Sequence, residues 1–338
     1  MRLSAALLTA TILAVPAHAE NKSFKDWLVG CDNVLACTAV GMSGDEAYPP
    51  GYVRVMRQAG PDAAAEVRLV VMTEGGEGGA KLSVVLDGKP FGAGTFDAAS
   101  DGTWARVDLP AADAAKFIAA LGNARSLKLK RVDVAEAEIA VSLNGSSAAL
   151  RYMDAEQKRD GGVTAIVARG DKPKSAVPAA PATPVVKATA MKVLETNPPA
   201  PKGLPEGNPE DCNGMDDTRF AIDLGDGHTL WAVCESAGAY NYGYSIYIAD
   251  KAGKVTPVPP PKENNWGGDA LVLVNPYAPE GEKVLSAFNK GRGLGDCGDS
   301  QSWAWTGDKL VMVRMSEMDE CRGVGEEDWI GVYKAEIR

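Results

Sequence analysis

The residues with the most chemistry in them lie between Asn289 and Asp328, in NKGRGLGDCGDSQSWAWTGDKLVMVRMSEMDECRGVGEED. Asp296, Asp299, Glu317, Asp319 and Glu320 crowd this stretch, and two carboxylates facing one cleft suffice for glycoside hydrolysis. Acid clusters also solvate acidic surfaces, which is the simpler reading. Gly291-Arg292-Gly293-Leu294-Gly295 has the look of a phosphate loop. It lacks the Lys-Ser/Thr ending, and no helix is expected after it to receive an anion. The glycines are read instead as permitting positive φ beside Cys297, with Arg292 an anchor to Asp296 or Asp299. The whole stretch is expected to form a hairpin closed by a disulfide, presenting Arg292, Asp296, Asp299, Trp303 and Trp305.

Other constellations carry less. After the first nineteen residues the chain has one histidine, His228, in a predicted turn. A Ser-His-Asp or Cys-His site would have to use it. There is no G-x-S-x-G, and the cysteines are expected to be oxidised, so no enzyme is expected and His228 reads as a surface turn residue. Asp211 to Asp217 offers oxygen ligands without EF-hand spacing, which favours an Asx-rich turn over calcium. No metal or cofactor is expected. Tyr240, Tyr242, Tyr244, Trp266, Trp303 and Trp305, beside Asn241, Asn264 and Asn265, suit recognition of a glycan or a protein. In a β module alternating aromatics also build core, and packing is assigned to about half of them.

These residues need a scaffold and a compartment. Residues 1–19, MRLSAALLTATILAVPAHA, read as a secretory signal with Ala17-His18-Ala19 as cleavage site. The apolar run is too short to span a bilayer, no cysteine follows for a lipid anchor, and a periplasmic or secreted chain is expected. Six cysteines in an exported chain argue for disulfides. Of the possible pairings, order along the chain favours Cys31–Cys37, Cys212–Cys234 and Cys297–Cys321.

Charge is uneven. From Pro205 onward there are 23 acids and 12 bases, a net of −11, whereas residues 1–204 carry 22 acids and 23 bases, a net of +1. That argues against nucleic acid and for a cationic protein, peptide or metal ion as partner, unless the acids only confer solubility.

Alternation and turn residues predict a β-rich module over residues 20–170. Its strands fall near Phe24–Val29, Val34–Val40, Tyr52–Arg57, Glu66–Thr73, Lys81–Leu86, Trp104–Leu109, Leu127–Val132, Glu138–Leu143 and Val163–Ala168. Asp87-Gly88 supplies a hairpin turn. Pro110 to Leu121, ended by Gly122, and Ser146 to Arg159 are the two helices. Residues 171–209 are proline-rich, a largely extended linker for which disorder is simpler than docking of Pro184–Leu194 as an edge strand. Residues 210–338 form an acidic, disulfide-bonded β module with strands at Thr218–Leu224, Thr229–Cys234, Tyr242–Ala249, Leu271–Asn275, Lys283–Phe288, Ser302–Trp305, Lys309–Met315 and Trp329–Ile337. The fold class is therefore mainly β, all-β to α+β, as two sandwich- or barrel-like modules with helices only in the first.

Four features carry a resemblance: Phe24-Lys25-Asp26-Trp27 before Cys31, the run Ser236 to Tyr242, Gly291-Arg292-Gly293 before Cys297-Gly298, and Cys321-Arg322. Together they resemble the secreted bacterial family known as domain of unknown function 1176. The first module is also similar, more weakly, to the invasion-associated locus B family, in its Trp-x-x-x-Cys opening and in Val141-Ser142-Leu143-Asn144-Gly145 before a helix. The resemblance implies an exported envelope or host-facing protein and supplies no catalytic residue. The expected function is non-enzymatic binding of a partner, such as a basic protein, through the acidic aromatic module. Candidate contacts are Tyr240, Asn241, Arg292, Asp296, Asp299, Trp303 and Trp305. The alternative is an envelope protein that binds or cleaves a glycan.

Overall fold

A computed structural model describes residues 21–44, 48, 50–73, 77–135, 138–194, 197–208, 210–212, 218–261, 269–279 and 281–338. The signal reading, Asn264, Asn265, Trp266 and most of the Asx-rich turn lie outside these residues.

The first half is one antiparallel sheet of ten strands: β1 (Lys22–Phe24), β2 (Trp27–Cys31), β3 (Cys37–Met42), β4 (Gly51–Arg57), β5 (Ala65–Met72), β6 (Glu77–Leu86), β7 (Lys89–Asp101), β8 (Trp104–Asp108), β9 (Leu127–Arg131) and β10 (Ile139–Val141). They run in the order β1-β2-β3-β4-β5-β8-β7-β6-β9-β10. A bridge between Ser43 and Val141, with Ser142 N donating to Met42 O at 3.0 Å, ties the last strand back to the end of β3. The sheet therefore curls around one core running from Trp27 to Met153.

Helix α1 (Ala111–Leu121) buries Ala114, Phe117, Ile118 and Leu121, the i, i+3, i+4, i+7 stripe of an amphipathic helix. Helix α2 (Ser146–Glu156) repeats the stripe with two polar members, Ser146 and Asp154. That buried carboxylate accepts from Arg57 at 2.7 Å and from the backbone N–H groups of Ile166 and Val167 at 2.8 and 2.9 Å. Residues 163–168, expected as a strand, are consequently a loop, because these donors serve a side chain rather than a sheet neighbour.

The linker is laid down rather than loose. Strand β11 (Val185–Val186) pairs in parallel with β22 (Glu336–Ile337), and β12 (Lys192–Val193) pairs with β13 (Arg219–Gly225). This places residues 184–194 along the second half, as docked edge strands where disorder was expected, while Lys172 and Lys174 still contact the first half. Strands β12, β13, β14 (His228–Ala237), β15 (Tyr242–Ala249) and β16 (Val255–Pro257) form one sheet, with β17 (Val272–Val274) also on β15. Strands β18 (Leu285–Lys290), β19 (Gly298–Trp305), β20 (Leu310–Met318) and β21 (Ile330–Lys334) form the other. Ile222, Leu230 and Ile246 of the first sheet pack on Leu285, Trp303 and Trp305 of the second, a sandwich core.

The halves also share a core. Leu28, Val40, Met42, Tyr52 and Val70 pack against Cys297, Met318, Val324, Trp329 and Ile330. Charge lines this seam. Asp328, 1% exposed, accepts from Tyr52 Oη at 2.8 Å, Arg54 Nη1 at 2.7 Å and Arg68 Nη1 at 3.0 Å. Burial, with the Asp328 charge beside it, pushes the Tyr52 phenol well above its ordinary value. Arg322 donates to Ser43 O and, at 3.0 Å, to Asp26 Oδ1. Gly323 sits at φ 78° against Pro50, where a Cβ would come within 2.3 Å, so only glycine closes the seam there. Asn33 and Lys334 exchange side-chain and backbone hydrogen bonds at 2.8 and 3.1 Å.

Candidate functional site

The register of the four-stranded sheet builds a graded face. Leu285, Trp303 and Met312 stand opposite one another, then Ala287, Gln301 and Met315, then Asn289, Asp299 and Glu317. Cross-strand partners share a face, so the row changes from apolar to polar along the strands. At its apolar end it is sandwich core. At its polar end it opens into a cleft of about 700 Å³, walled by Val272 to Val274 of β17, by Met315 and Met318, and by the Cys297 and Cys321 positions. Asp319 also lines it.

Neutral amides hold the central acid. Asn289 Nδ2 donates to Asp299 Oδ1 at 2.8 Å, and Gln301 Nε2 donates to Asp299 Oδ2 at 3.0 Å. The support extends behind them. Trp303 Nε1 donates to Gln301 Oε1 at 3.2 Å, Asn241 Nδ2 to Asn289 Oδ1 at 3.2 Å, and Asn275 Nδ2 to Asn241 Oδ1 at 3.0 Å. The carboxylate plane of Asp299 is thus fixed by a connected set of side chains. Among the described residues no lysine or arginine lines the cleft. Lys290 turns away, its Nζ 5.9 Å from the Phe288 ring centroid.

The loop above the cleft is a clamp. Arg292 grips Asp296 through two hydrogen bonds of 2.7 and 2.5 Å, and Asp296 Oδ2 accepts from Gly323 N at 2.7 Å. Burial pushes the Asp296 carboxyl up, but these donors outweigh it and hold it below the ordinary carboxylate value. Of the three loop glycines only Gly295 has a positive φ; Gly291 is needed because a Cβ would meet Cys297 Sγ at 2.7 Å. Strand β19, not a helix, follows this loop. Tyr240, 38% exposed, lies over it with its hydroxyl 3.4 Å from Gly291 O, and Leu294 on the same loop is 68% exposed.

The expected residues therefore divide. Asp299 lines the cleft and Asn241 supports it from behind. Tyr240 stands at its edge. Arg292 and Asp296 pair with each other and brace the seam, Asp296 buried and the Arg292 side chain 44% exposed. Trp303 and Trp305 are 5% and 2% exposed, inside the sandwich core. The surface role expected for them is wrong: this strand is covered on both faces, with Ala304 in a second apolar cluster. His228, expected at the surface, is half-buried, its ring 5.6 Å from that of Trp305. Of the five weighed acids, Asp299, Glu317 and Asp319 line the cleft, and Asp296 and Glu320 do not. The amides Asn275, Asn289 and Gln301 went unread. Gln301 was within reach of period-two alternation from Trp303; Asn289 needed the inter-strand register. All three disulfides form as expected: Cys31–Cys37, Cys212–Cys234 and Cys297–Cys321. They fit an oxidising, extracytoplasmic compartment. Among the described residues no group of three or more His, Cys, Asp or Glu side chains is placed to hold a metal, and no helix is long and apolar enough to cross a membrane.

The four sequence features of the family resemblance converge here. Asp26 of the first meets Arg322 of the last at 3.0 Å, Asn241 donates to Lys290 O at 2.8 Å beside the glycine loop, and Asp296 of that loop takes Gly323 N. The sequence model described as "Protein of unknown function (DUF1176)" matches residues 21–336. The chain belongs to that family. Because the DUF1176 match crosses both halves, the first module's weaker likeness to the invasion-associated locus B family is not confirmed. A relative in Escherichia coli (strain K12), the uncharacterized protein YpfG, is 29% identical over 350 residues, covering 97% of this chain and 94% of the relative. No solved structure matches the chain.

Proposed function

We propose that this DUF1176 protein is an exported, non-enzymatic interaction protein that holds a basic protein partner at the acidic cleft of its C-terminal half. One observation carries the reading. Asp299 is fixed in an open cleft by neutral amides, with no lysine or arginine among the lining residues. Elsewhere in the chain, buried acids such as Asp154 and Asp328 are met by arginines. Val272 lines the cleft and is 46% exposed, and on the adjoining glycine loop Leu294 and the Tyr240 that bonds Gly291 O are 68% and 38% exposed. Exposed apolar and aromatic groups around a charged pocket suit a protein interface. Trp303 and Trp305, on which a glycan was expected to stack, are in the core, which weakens the glycan alternative. Residues 1–19 then serve as the export signal and the periplasm or exterior is the place of action.

The test uses the full chain with disulfides intact, because the seam joins the halves. Lysozyme, as a basic protein probe, and N-acetylglucosamine oligosaccharides are titrated at low and high salt against wild type and Asp299→Asn. Lysozyme binding that weakens steeply with salt, and that falls in the variant, supports the reading. Oligosaccharide binding indifferent to salt, with none of lysozyme, overturns it in favour of a glycan.

A further inference from the structure

We propose that the cleft selects an arginine side chain of its partner over a lysine; this rests on the binding role proposed above. An ionised carboxylate offers about four acceptor sites. In Asp299 one site on each oxygen is filled from within the sheet, by Asn289 on Oδ1 and Gln301 on Oδ2. The carboxylate cannot swivel to follow a mobile point charge without breaking one of these bonds. Both oxygens keep a free site, and a planar fork with two parallel N–H groups matches both at once. Guanidinium has that shape, whereas ammonium does not.

The walls suit the rest of the side chain. Val272, Leu273 and Met315 are among the apolar residues that line the cleft, a surface on which three methylenes lie well. Glu317, opposite Asp299 in register, lines the same end and accepts from Asn21 Nδ2 at 3.5 Å. A volume of about 700 Å³ exceeds one side chain. The arginine therefore enters as part of a chain segment, with its neighbours against Val272, Leu294 and Tyr240 at the rim.

The pocket of about 330 Å³ beside α1 and α2 holds Arg169 and Asn123 among apolar residues, but Arg169 is exposed and nothing identifies an occupant. Arg159, 1% exposed, has a buried Nη1 without a partner in the structure, next to the filled Arg57–Asp154 pair, but nothing there identifies an occupant.

The cleft methionines make the test. The full chain carrying ¹³C-methyl methionine is titrated with N-acetyl-arginine amide, N-acetyl-lysine amide and the citrulline analogue, which keeps the shape of arginine without its charge. The arginine probe is expected to shift Met315, which lines the cleft, saturably and leave the core signal of Met153 in place. The lysine probe should bind about tenfold more weakly, the equivalent of one lost charge-assisted hydrogen bond. Citrulline should leave the spectrum unchanged, and Asp299→Asn should abolish the arginine response with the core signals intact. Lysine binding as tightly as arginine overturns the inference, as do arginine shifts that persist in Asp299→Asn. Lysozyme binding without any methionine response to the arginine probe sinks the selection alone; no binding of lysozyme or of either cationic amide removes the binding role as well.

Discussion

Asp328 and Asp299 belong to the same acidic half, yet their surroundings differ in kind. Asp328 is buried at the seam and receives two guanidinium groups and a phenol from the other half of the chain. Asp299 stands in an open cleft and receives two neutral amides from its own sheet. Part of the net −11 of the C-terminal half is therefore answered internally: Arg54 and Arg68 meet Asp328, and Arg106 meets Glu327 at 2.7 Å. The first cationic partner of the acidic module is the basic face of the β4, β5 and β8 strands. Asp299, met by amides rather than by a cation, is left for a second one. Net charge alone does not tell the two apart; position in the register does.

Asp328→Ala leaves two arginines and a tyrosine facing an emptied site, and removing one member of a buried ion network costs about 3–5 kcal/mol. Urea unfolding should show that loss as a lower midpoint. Replacing Cys297 and Cys321 together by serine frees the ends of β19 and β20 and should cost about 3 kcal/mol by the chain-entropy argument, again read from the unfolding midpoint under non-reducing conditions. Acid comes next. The hydrogen bond from Ser142 and the pairing with Arg322 hold Asp26 below the ordinary carboxylate value, and Asp296 is held low by Arg292. A depressed folded-state value means that the ionised form stabilises the fold. That contribution is complete above the unfolded-state value of about 4 and is lost as pH falls through the lower folded values. Thermal melts at descending pH should therefore show the seam weakening below about pH 4, and Asp296→Asn should flatten that dependence. The smallest effect is expected at Asp299→Asn, where an amide replaces an open-cleft carboxylate and stability should change by about 1 kcal/mol or less.

Much of the fold was legible because its signals are local. Alternation in Tyr52–Arg57 marks β4, the Asp87-Gly88 turn joins β6 to β7 with both residues at positive φ, and the alanine-rich run after Pro110 is α1. Cysteine order gave the pairings because each bridge closes a short local loop. What escaped is non-local or disguised. The thirteen residues of β7 are glycine-rich and mostly exposed, so they carry no clear period. Residues 163–168 alternate like a strand, but the buried Asp154 captures their backbone donors. The tryptophans of β19 alternate as a half-exposed strand would, and only the second sheet across the sandwich reveals that their face is core. Arg54 reads as the polar face of a strand, and its partner lies 274 residues away. The amides around Asp299 are invisible for the same reason: Asn241, Asn275, Asn289 and Gln301 come from separate segments.

The most direct test of the account measures lysozyme affinity and unfolding midpoint together, for wild type, Asp299→Asn and Asp328→Asn, at low and high salt. The account predicts that Asp299→Asn loses affinity at low salt while keeping its midpoint, and that Asp328→Asn loses midpoint while its folded fraction still binds. Wild-type affinity retained in Asp299→Asn would contradict it, since the cleft would then not be where the partner is held.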